Sequence, residues 1–553
     1  MQLHHKPKRY LRSWATQIPL RTKSDVDAPT RGAAPRALRT DLPQSPGYPM
    51  IRTSKPQPDA RPSRIGRSPA AAACAVLSLL FAACSTPAPP QARLDLKLSD
   101  KFAEVVDADA AFQGERWWAN FGDEELTRLV RQALEKNKNV KISLERVKSA
   151  QSGVTTSSSL LLPSVDAQLN LQRSSSGLPA PVKAAGQPDI LGYQAGLQLS
   201  WEVDLSGALR AARDAAKSDL IAAQASVVGA RLEVASEVAK QYFIYRSAEQ
   251  RLSLLEALVQ SQRQSAKFIV HRLEQGESSS YDLDIAESDV DALEQQVPAL
   301  RSLCASSQAA MGTLLGENPS LRPIPSSPQY AWPKGFTIGS GQPVDLLRRR
   351  PDLLAAEARY SAESLRAVQA RDQLWPRLVL SAIFGNEGLK LNALQLSPVH
   401  FENVAAAFAM PLFNSGRITA IADAQDAVAS QMLMQWQNSV LLAVQEVESS
   451  LSVKNSEDAR DSMVIDALTR KRSALNHAQS LFREGQVGRL TLLQAQRAEL
   501  AAELDAMDSA QRRMLSYIQL YKALGGGWAP SRAQPDDRQA VAAMASANQR
   551  IPK

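Results

Sequence analysis

The stretch Tyr193-Gln194-Ala195-Gly196-Leu197-Gln198-Leu199-Ser200-Trp201-Glu202-Val203 is followed by Asp204-Leu205-Ser206-Gly207 and then by dozens of residues nearly free of glycine and proline. Tyr193, Ala195, Leu197, Leu199, Trp201 and Val203 alternate with Gln194, Gly196, Gln198, Ser200 and Glu202. A period of two places these sets on opposite faces of a β-strand. One apolar face and one polar face over this length is the pattern of a strand that meets lipid on one side and water on the other. Upstream, in 165–172, Val165, Ala167, Leu169 and Leu171 alternate with Asp166, Gln168, Asn170 and Gln172 in the same way. Two weaker segments, 377–385 and 403–412, return to the pattern later, with Val379, Ile383 and Ala407 interrupting the polar face.

Each strand pair leads into a helix of unusual length. Ala208–Gln275 is interrupted only by Gly229, and the 68 residues Arg417–Glu484 contain neither glycine nor proline. At 1.5 Å per residue such a helix reaches about 100 Å, far more than a globular core needs. These helices must therefore lie side by side. Val238, Tyr242, Tyr245, Leu252 and Val259 keep a 4/3 spacing, and Glu249 and Glu256 break the seam. Broken seams rich in Ala and Ser fit helices with neighbours on two sides around a wet interior. A two-stranded rod satisfies the same periodicity.

The chain contains itself twice. Leu205-Ser206-Gly207 matches Asn414-Ser415-Gly416, Leu273-Glu274-Gln275-Gly276 matches Phe482-Arg483-Glu484-Gly485, and Leu314-Leu315-Gly316 matches Ala523-Leu524-Gly525, all at an offset of 209. Leu162-Pro163 and Trp375-Pro376 pair at 213, so the loops between differ by a few residues. The expected organisation is a first repeat over 124–316, a Pro/Gly/Ser-rich linker over 317–344 and a second repeat over 345–527, with 528–553 a disordered tail. The fold class is α+β, mostly helical, with four strands per chain. Four strands cannot close on themselves, and an open sheet in lipid leaves edge N–H and C=O groups unsatisfied. Strands in a membrane thus require copies to join: two give eight strands, three give twelve.

Charge and cysteine place the chain. Residues 1–83 carry 14 Lys/Arg against 4 Asp/Glu, whereas 84–553 carry 50 against 52. The basic excess belongs to the leader, so the remainder has no electrostatic footprint for nucleic acid. The apolar run that ends Leu79-Leu80-Phe81-Ala82-Ala83-Cys84 follows Arg61, Arg64 and Arg67 and precedes Ser-Thr-Pro-Ala-Pro-Pro. That is a bacterial lipoprotein signal with Cys84 as acceptor of a diacylglycerol, 1–83 as leader and 84–123 as a lipid-anchored N-terminal segment. A run of about 14 residues is too short to span a bilayer comfortably. Residues 1–49 have no apolar period and read as disordered, and a start at Met50 would give a leader of ordinary length. With Cys84 lipidated, Cys304 is left alone and no internal disulfide forms.

Several motifs together resemble the TolC-like outer membrane factor family, in its lipoprotein, NodT-type branch. They are Arg116-Trp117-Trp118…Phe121-Gly122-Asp123, Arg350-Pro351-Asp352-Leu353-Leu354-Ala355-Ala356-Glu357, Leu412-Phe413-Asn414-Ser415-Gly416-Arg417 and Leu520-Tyr521-Lys522-Ala523-Leu524-Gly525-Gly526-Gly527-Trp528. The resemblance covers about 110–528. It implies a homotrimer whose twelve strands form one outer-membrane barrel, continued by a periplasmic coiled-coil tunnel. It implies a passive duct for drugs or other small toxic solutes, served by a periplasmic adaptor and an inner-membrane pump, with no cofactor. A duct for protein secretion, or a non-conducting coiled-coil lipoprotein, are the other readings.

By the same resemblance the two glycine turns are adaptor contacts: Leu273 and Gly276 in the first, Phe482, Gly485, Val487 and Leu490 in the second. A glycine at a helix end also serves simply as a left-handed cap. Gate candidates after the turns are Asp282 and Asp284, with Thr491 and Gln494 in the second repeat. The carboxylates could ring a constriction and hold cations, or be N-terminal helix charges. Arg348-Arg349-Arg350-Pro351-Asp352 reads as a helix start. For catalysis and for metals nothing assembles: His271, His400 and His477 are scattered, and Cys304 lies in an Ala/Ser helical stretch without a base.

Overall fold

The computed structural model describes residues 99, 101–103, 116–175, 177–184, 190–334, 338–339, 342–391, 394–395 and 398–526, all within the unit 72–553. Cys84, the leader and the tail 528–553 lie outside the described residues.

After a 3-10 turn Trp117–Phe121, α1 (Glu124–Lys136) starts at Asp123, whose carboxylate accepts the Leu126 N–H at 2.9 Å. Asn137 ends α1 and caps α2 (Lys138–Ser159) by accepting the N–H groups of Asn139 and Val140. Then come β1 (Ser164–Ser174), a short α3 (Ala180–Ala184), β2 (Ile190–Val203) and α4 (Ala208–Glu274), which has 67 residues. The return runs through α5 (Ser280–Glu294) and α6 (Val297–Leu314). Pro298, which has no N–H to give the preceding turn, accounts for the break. The second half comprises α7 (Leu346–Arg349), α8 (Pro351–Asp372), β3 (Arg377–Leu391), a two-residue β4 (Leu394–Gln395), β5 (Val399–Ala409), α9 (Arg417–Arg483), also of 67 residues, and α10 (Arg489–Ala523).

The strands run longer than their alternation suggested. β3 continues to Leu391 rather than stopping at 385, and β5 spans 399–409 rather than 403–412. The ladder explains both: Glu387 pairs with Val399 at one end and Arg377 with Ala409 at the other. Pro411, which has no donor for a ladder, lies just past that end.

Helices and strands share one lateral order. The sheet is antiparallel, β1-β2-β3-β5, with β4 on the far end of β3. In the helical layer α2 packs on α4, α4 on α8, and α8 on α9; farther along, α5 and α6 pack on α4, α4 on α10, and α10 on α9. The end of α6 meets the start of α2, where Asn137 Nδ2 donates to the Leu314 carbonyl at 2.8 Å. Likewise α10 ends against α8, where Arg350 Nη1 donates to the Ala523 carbonyl at 2.9 Å. Four columns result: α2 with α5/α6, then α4, then α8 with α10, then α9.

The largest buried cluster lies where the stacked helices meet. Trp117 stacks on Tyr521 at 5.2 Å, Phe243 on Trp332 at 6.1 Å, and Met311, Leu315, Val447 and Leu451 fill in around them. Of the expected seam, Val238, Tyr242, Tyr245 and Val259 are buried and Leu252 half-buried.

Candidate functional site

The sheet presents two chemically distinct faces. Registration carries the apolar set of β1 onto β2 (Leu169 against Ala195, Leu171 against Tyr193), onto β3 (Leu197 against Phe384, Trp201 against Leu380) and onto β5 (Leu378 against Phe408, Ala382 against Val404). Leu169, Leu171, Leu197, Val404 and Phe408 are all more than half exposed. Such a face of large apolar side chains is expensive to leave in water. The opposite face carries Asp166, Gln168, Asn170 and Gln172 beside Gln194, Gln198, Ser200 and Glu202.

Where the sheet passes into the long helices, Gly207 and Gly416 adopt left-handed conformations, with φ of 94° and 79°. Asp204 secures the first passage, accepting the N–H groups of Gly207, Leu209 and Arg210 at 3.0–3.1 Å and pairing with the Arg210 guanidinium at 2.9 Å.

At the column junctions, glycines are required by contact. A Cβ on Gly316 (φ 69°) would sit 2.7 Å from the Lys136 carbonyl oxygen, and one on Gly525 (φ 89°) 3.0 Å from that of Arg349. The Arg348–Asp352 run is a helix start, with Pro351 in the first turn of α8. Arg350 does more than that: it also pairs with Glu446 at 2.7 Å and Asp352 at 2.9 Å.

The linker is held as a strap. Gln308 grips Ile324 through both N–H and C=O, Arg246 donates to the Pro325 carbonyl at 2.7 Å, and Glu249 accepts the Ser327 N–H at 3.0 Å. Gln250 holds both the Tyr330 carbonyl and the Trp332 indole, and Arg513 reaches the Pro333 carbonyl at 2.9 Å while pairing with the buried Asp461. Asp123 accepts the hydroxyls of Tyr242 and Tyr330, and burial, with that carboxylate, pushes both phenol pKa values upward. Glu249, which looked like a defect in the seam, is thus a strap anchor, and Glu256 pairs with Arg301. The exception to the 4/3 spacing was the available signal. Its meaning depended on where 317–344 runs.

Both turns at the far end have one geometry. Gly276 (φ 73°) donates to Leu273 and Glu277 to Arg272; Gly485 (φ 74°) donates to Phe482 and Gln486 to Leu481. This crossed pair of bonds is the glycine C-terminal motif. Leu490 and Phe482 are exposed, Leu273 and Val487 half-buried. The two turns differ in how the return helix starts. Ser279 and Asp282 form a capping box for α5, Asp282 accepting from the Ser278 and Ser279 hydroxyls and the Ser279 N–H. These bonds hold its carboxyl below the usual range. Gly488 caps α10 without a side chain. Asp284, Thr491 and Gln494 are exposed. The two hairpins meet through Arg489 over the Phe268 ring at 4.4 Å and through Arg497, which pairs with Asp289 at 2.8 Å and donates to Gln262.

A two-faced sheet continued by helices about 100 Å long defines the class of outer-membrane channels with a helical periplasmic extension. The chain belongs to the outer membrane efflux protein family, whose profile, "Outer membrane efflux protein", matches residues 129–317 and 343–526. It is 29% identical over 464 residues to the pyoverdine export outer membrane protein OpmQ of Pseudomonas putida, spanning 82% of this chain and 96% of that one. It is 24% identical over 462 residues to the probable outer membrane lipoprotein SilC of Salmonella typhimurium, spanning 81% and 97%. Its fold superposes on the Campylobacter jejuni CmeC outer membrane channel with a TM-score of 0.73 at 20% identity, covering 82% of this chain and 97% of that one. The protein is an outer-membrane efflux channel. Its family is one of channels rather than enzymes.

Proposed function

We infer that three copies join head to tail into one duct, which passively carries drugs or other small toxic solutes across the outer membrane. The observation that carries this reading is the shared order of sheet and columns. β1 and the α2 column lie at one side of the chain, β5 and α9 at the other, and both sides are left open. Leu441, Leu442 and Val453 of α9 and Ile142 of α2 are half exposed. A copy set beside another satisfies the sheet edge and these residues at once, through a heterologous contact that closes as a ring. Eight strands leave an interior that side chains fill, so two copies give no duct; twelve leave a lumen.

The duct takes its cargo from a periplasmic adaptor and an inner-membrane pump. The adaptor meets the turns at Leu273 and Gly276 and at Phe482, Gly485, Val487 and Leu490, whose open surroundings suit such a contact. Asp284, Thr491 and Gln494 stand after the turns as constriction groups, and Asp282 is committed to its cap. Cys84 carries the lipid. Ala103 is bonded to Glu448, 31 residues into α9 or about 47 Å from its start. The 18 residue steps from Cys84 to Phe102 reach about 60 Å. That is enough to return to the membrane.

Single-channel recording on purified full chain of measured mass tests the assembly. Discrete current steps from a trimer are expected. A particle of two copies, or a trimer silent even after Asp284 is neutralised, would overturn it. For the turns, Gly485→Arg should abolish efflux at normal trimer levels, and full resistance in that variant would remove the adaptor contact.

A further inference from the structure

The second hairpin is apolar on both faces. Its large residues, Leu378, Leu380, Phe384, Val404 and Phe408, share the face that continues the apolar side of β1 and β2. The other face continues the polar side of the first hairpin, yet carries Val379 and Ile383 on β3 and Ala405, Ala407 and Ala409 on β5. Across the same rungs the chemistry changes within one strand spacing: Glu202 lies beside Val379, and Gln198 beside Ile383. Ser381 and Asn403 are the polar interruptions between Val379 and Gly385, and the exposed Arg377, opposite Ala409, and Glu387, opposite Val399, bound the apolar stretch at its two ends.

Size separates this second apolar face from a packing surface. Ala405, Ala407 and Ala409 are exposed, and alanine projects only a methyl group from the strand. It is well suited to a wall that must be apolar and keep its bore. The outer end of the face points the same way. Gly385 and Gly196 are paired, and a Cβ on Gly385 would meet the Ala195 carbonyl oxygen at 2.3 Å and the Phe401 ring at 3.0 Å. The ring of Phe401 therefore lies over Gly385, along the wall, and extends the apolar surface. From Val379 to Gly385 the surface is about 20 Å long, and it is two strands or about 10 Å wide.

We propose that the water-side face of β3 and β5 is an apolar lane that contacts planar apolar or amphipathic cargo during passage. The proposal rests on the reading of that face as the lumen of the duct. Three such lanes then alternate with three polar lanes from the first hairpins. Polar solutes keep their hydration along Gln and Asn, and an apolar ring sheds water against Val379, Ile383, Ala407 and Phe401. The polar rungs limit the contact to transient association, which a conducting wall requires.

Thiol labelling of the purified full-length protein tests the lane and the lumen separately. In a Cys304→Ser background, Ala407→Cys, Asn170→Cys and Ala406→Cys are each treated with N-phenylmaleimide and with a sulfonated maleimide of similar size. The ratio of phenyl to sulfonated labelling rates at position 407 should exceed that at position 170 about tenfold, as burial of roughly 60 Å² of probe surface would give. Equal ratios at 407 and 170, with both labelled by the charged reagent, would discard the lane and leave the duct standing. Charged reagent reaching 406 but not 407 would reverse the faces and remove the duct reading itself. A position 407 closed to both reagents would also discard the lane, since a path for cargo must be reachable.

Discussion

In the first half of the chain Asp204 collects three backbone N–H groups and an arginine as β2 turns into α4. At the offset of 209 its counterpart is Phe413, 87% exposed, and the turn into α9 is made with no side-chain cap. The same contrast recurs at the far end, where Asp282 caps α5 and Gly488 leaves α10 uncapped. It inverts at the column junctions, where Asn137 makes one neutral bond beside an exposed Lys136–Glu317 pair in the first half, and Arg350 makes a charged, three-partner link in the second. The left-handed glycines make the turns in both halves. Side-chain support is a separate layer that each half has placed differently.

If that division is right, the largest single loss belongs to Arg350→Ala. Removing it leaves the Ala523 carbonyl without its donor and Glu446 with only the Gln519 amide at 3.5 Å, and should cost about 3 kcal/mol, against about 2 for Asn137→Ala, read as urea midpoints. Equal losses would mean that the charged junction carries no extra weight. Next come the glycines. Gly316→Ala must strain a positive φ and press on the Lys136 carbonyl oxygen, for about 2 to 3 kcal/mol. Gly276→Ala and Gly485→Ala, with nothing within 4 Å, should lose only about 1 each. At the strand–helix passages, Asp204→Ala should cost about 1 to 2 kcal/mol and Phe413→Ala almost nothing in detergent. A large loss at Phe413 would make the second passage dependent on a contact absent from the single chain.

The smallest effect is in acid. The Asp282 pKa is lowered by its bonds to Ser279 and Ser278. Its contribution is therefore present above the ordinary carboxylate pKa and is lost as pH falls through its own depressed value. Relative to the intrinsic amide exchange rate at each pH, exchange at the start of α5 should quicken below about pH 4 and that at the start of α10 should not. In Asp282→Asn the two turns should behave alike at every pH. Exchange that quickens equally at both turns in the unaltered chain would dissolve the distinction.

Periodicity made much of this architecture legible beforehand. The alternation of 193–203 assigns both faces of β2, and the lack of glycine and proline in 417–483 assigns α9 its length. The landmarks Gly276 and Gly485 marked the two far turns. What stayed hidden were residues whose meaning depends on a distant partner. Glu249 reads as a flaw until Ser327 is beside it. Arg350 reads as a helix start until Ala523 and Glu446 arrive. Asp204 could have been found, since an acidic residue just before Leu-Ser-Gly and a long helix is a cap signal.

By itself, then, the sequence determined the faces of the strands, the lengths of the helices and the sites of the turns, because each is a matter of local period or of backbone freedom at one residue. Only the tertiary structure decided which helix ends abut, where the strap crosses and how the second hairpin registers against the first. Those depend on pairings between segments up to hundreds of residues apart, and no local pattern carries a register.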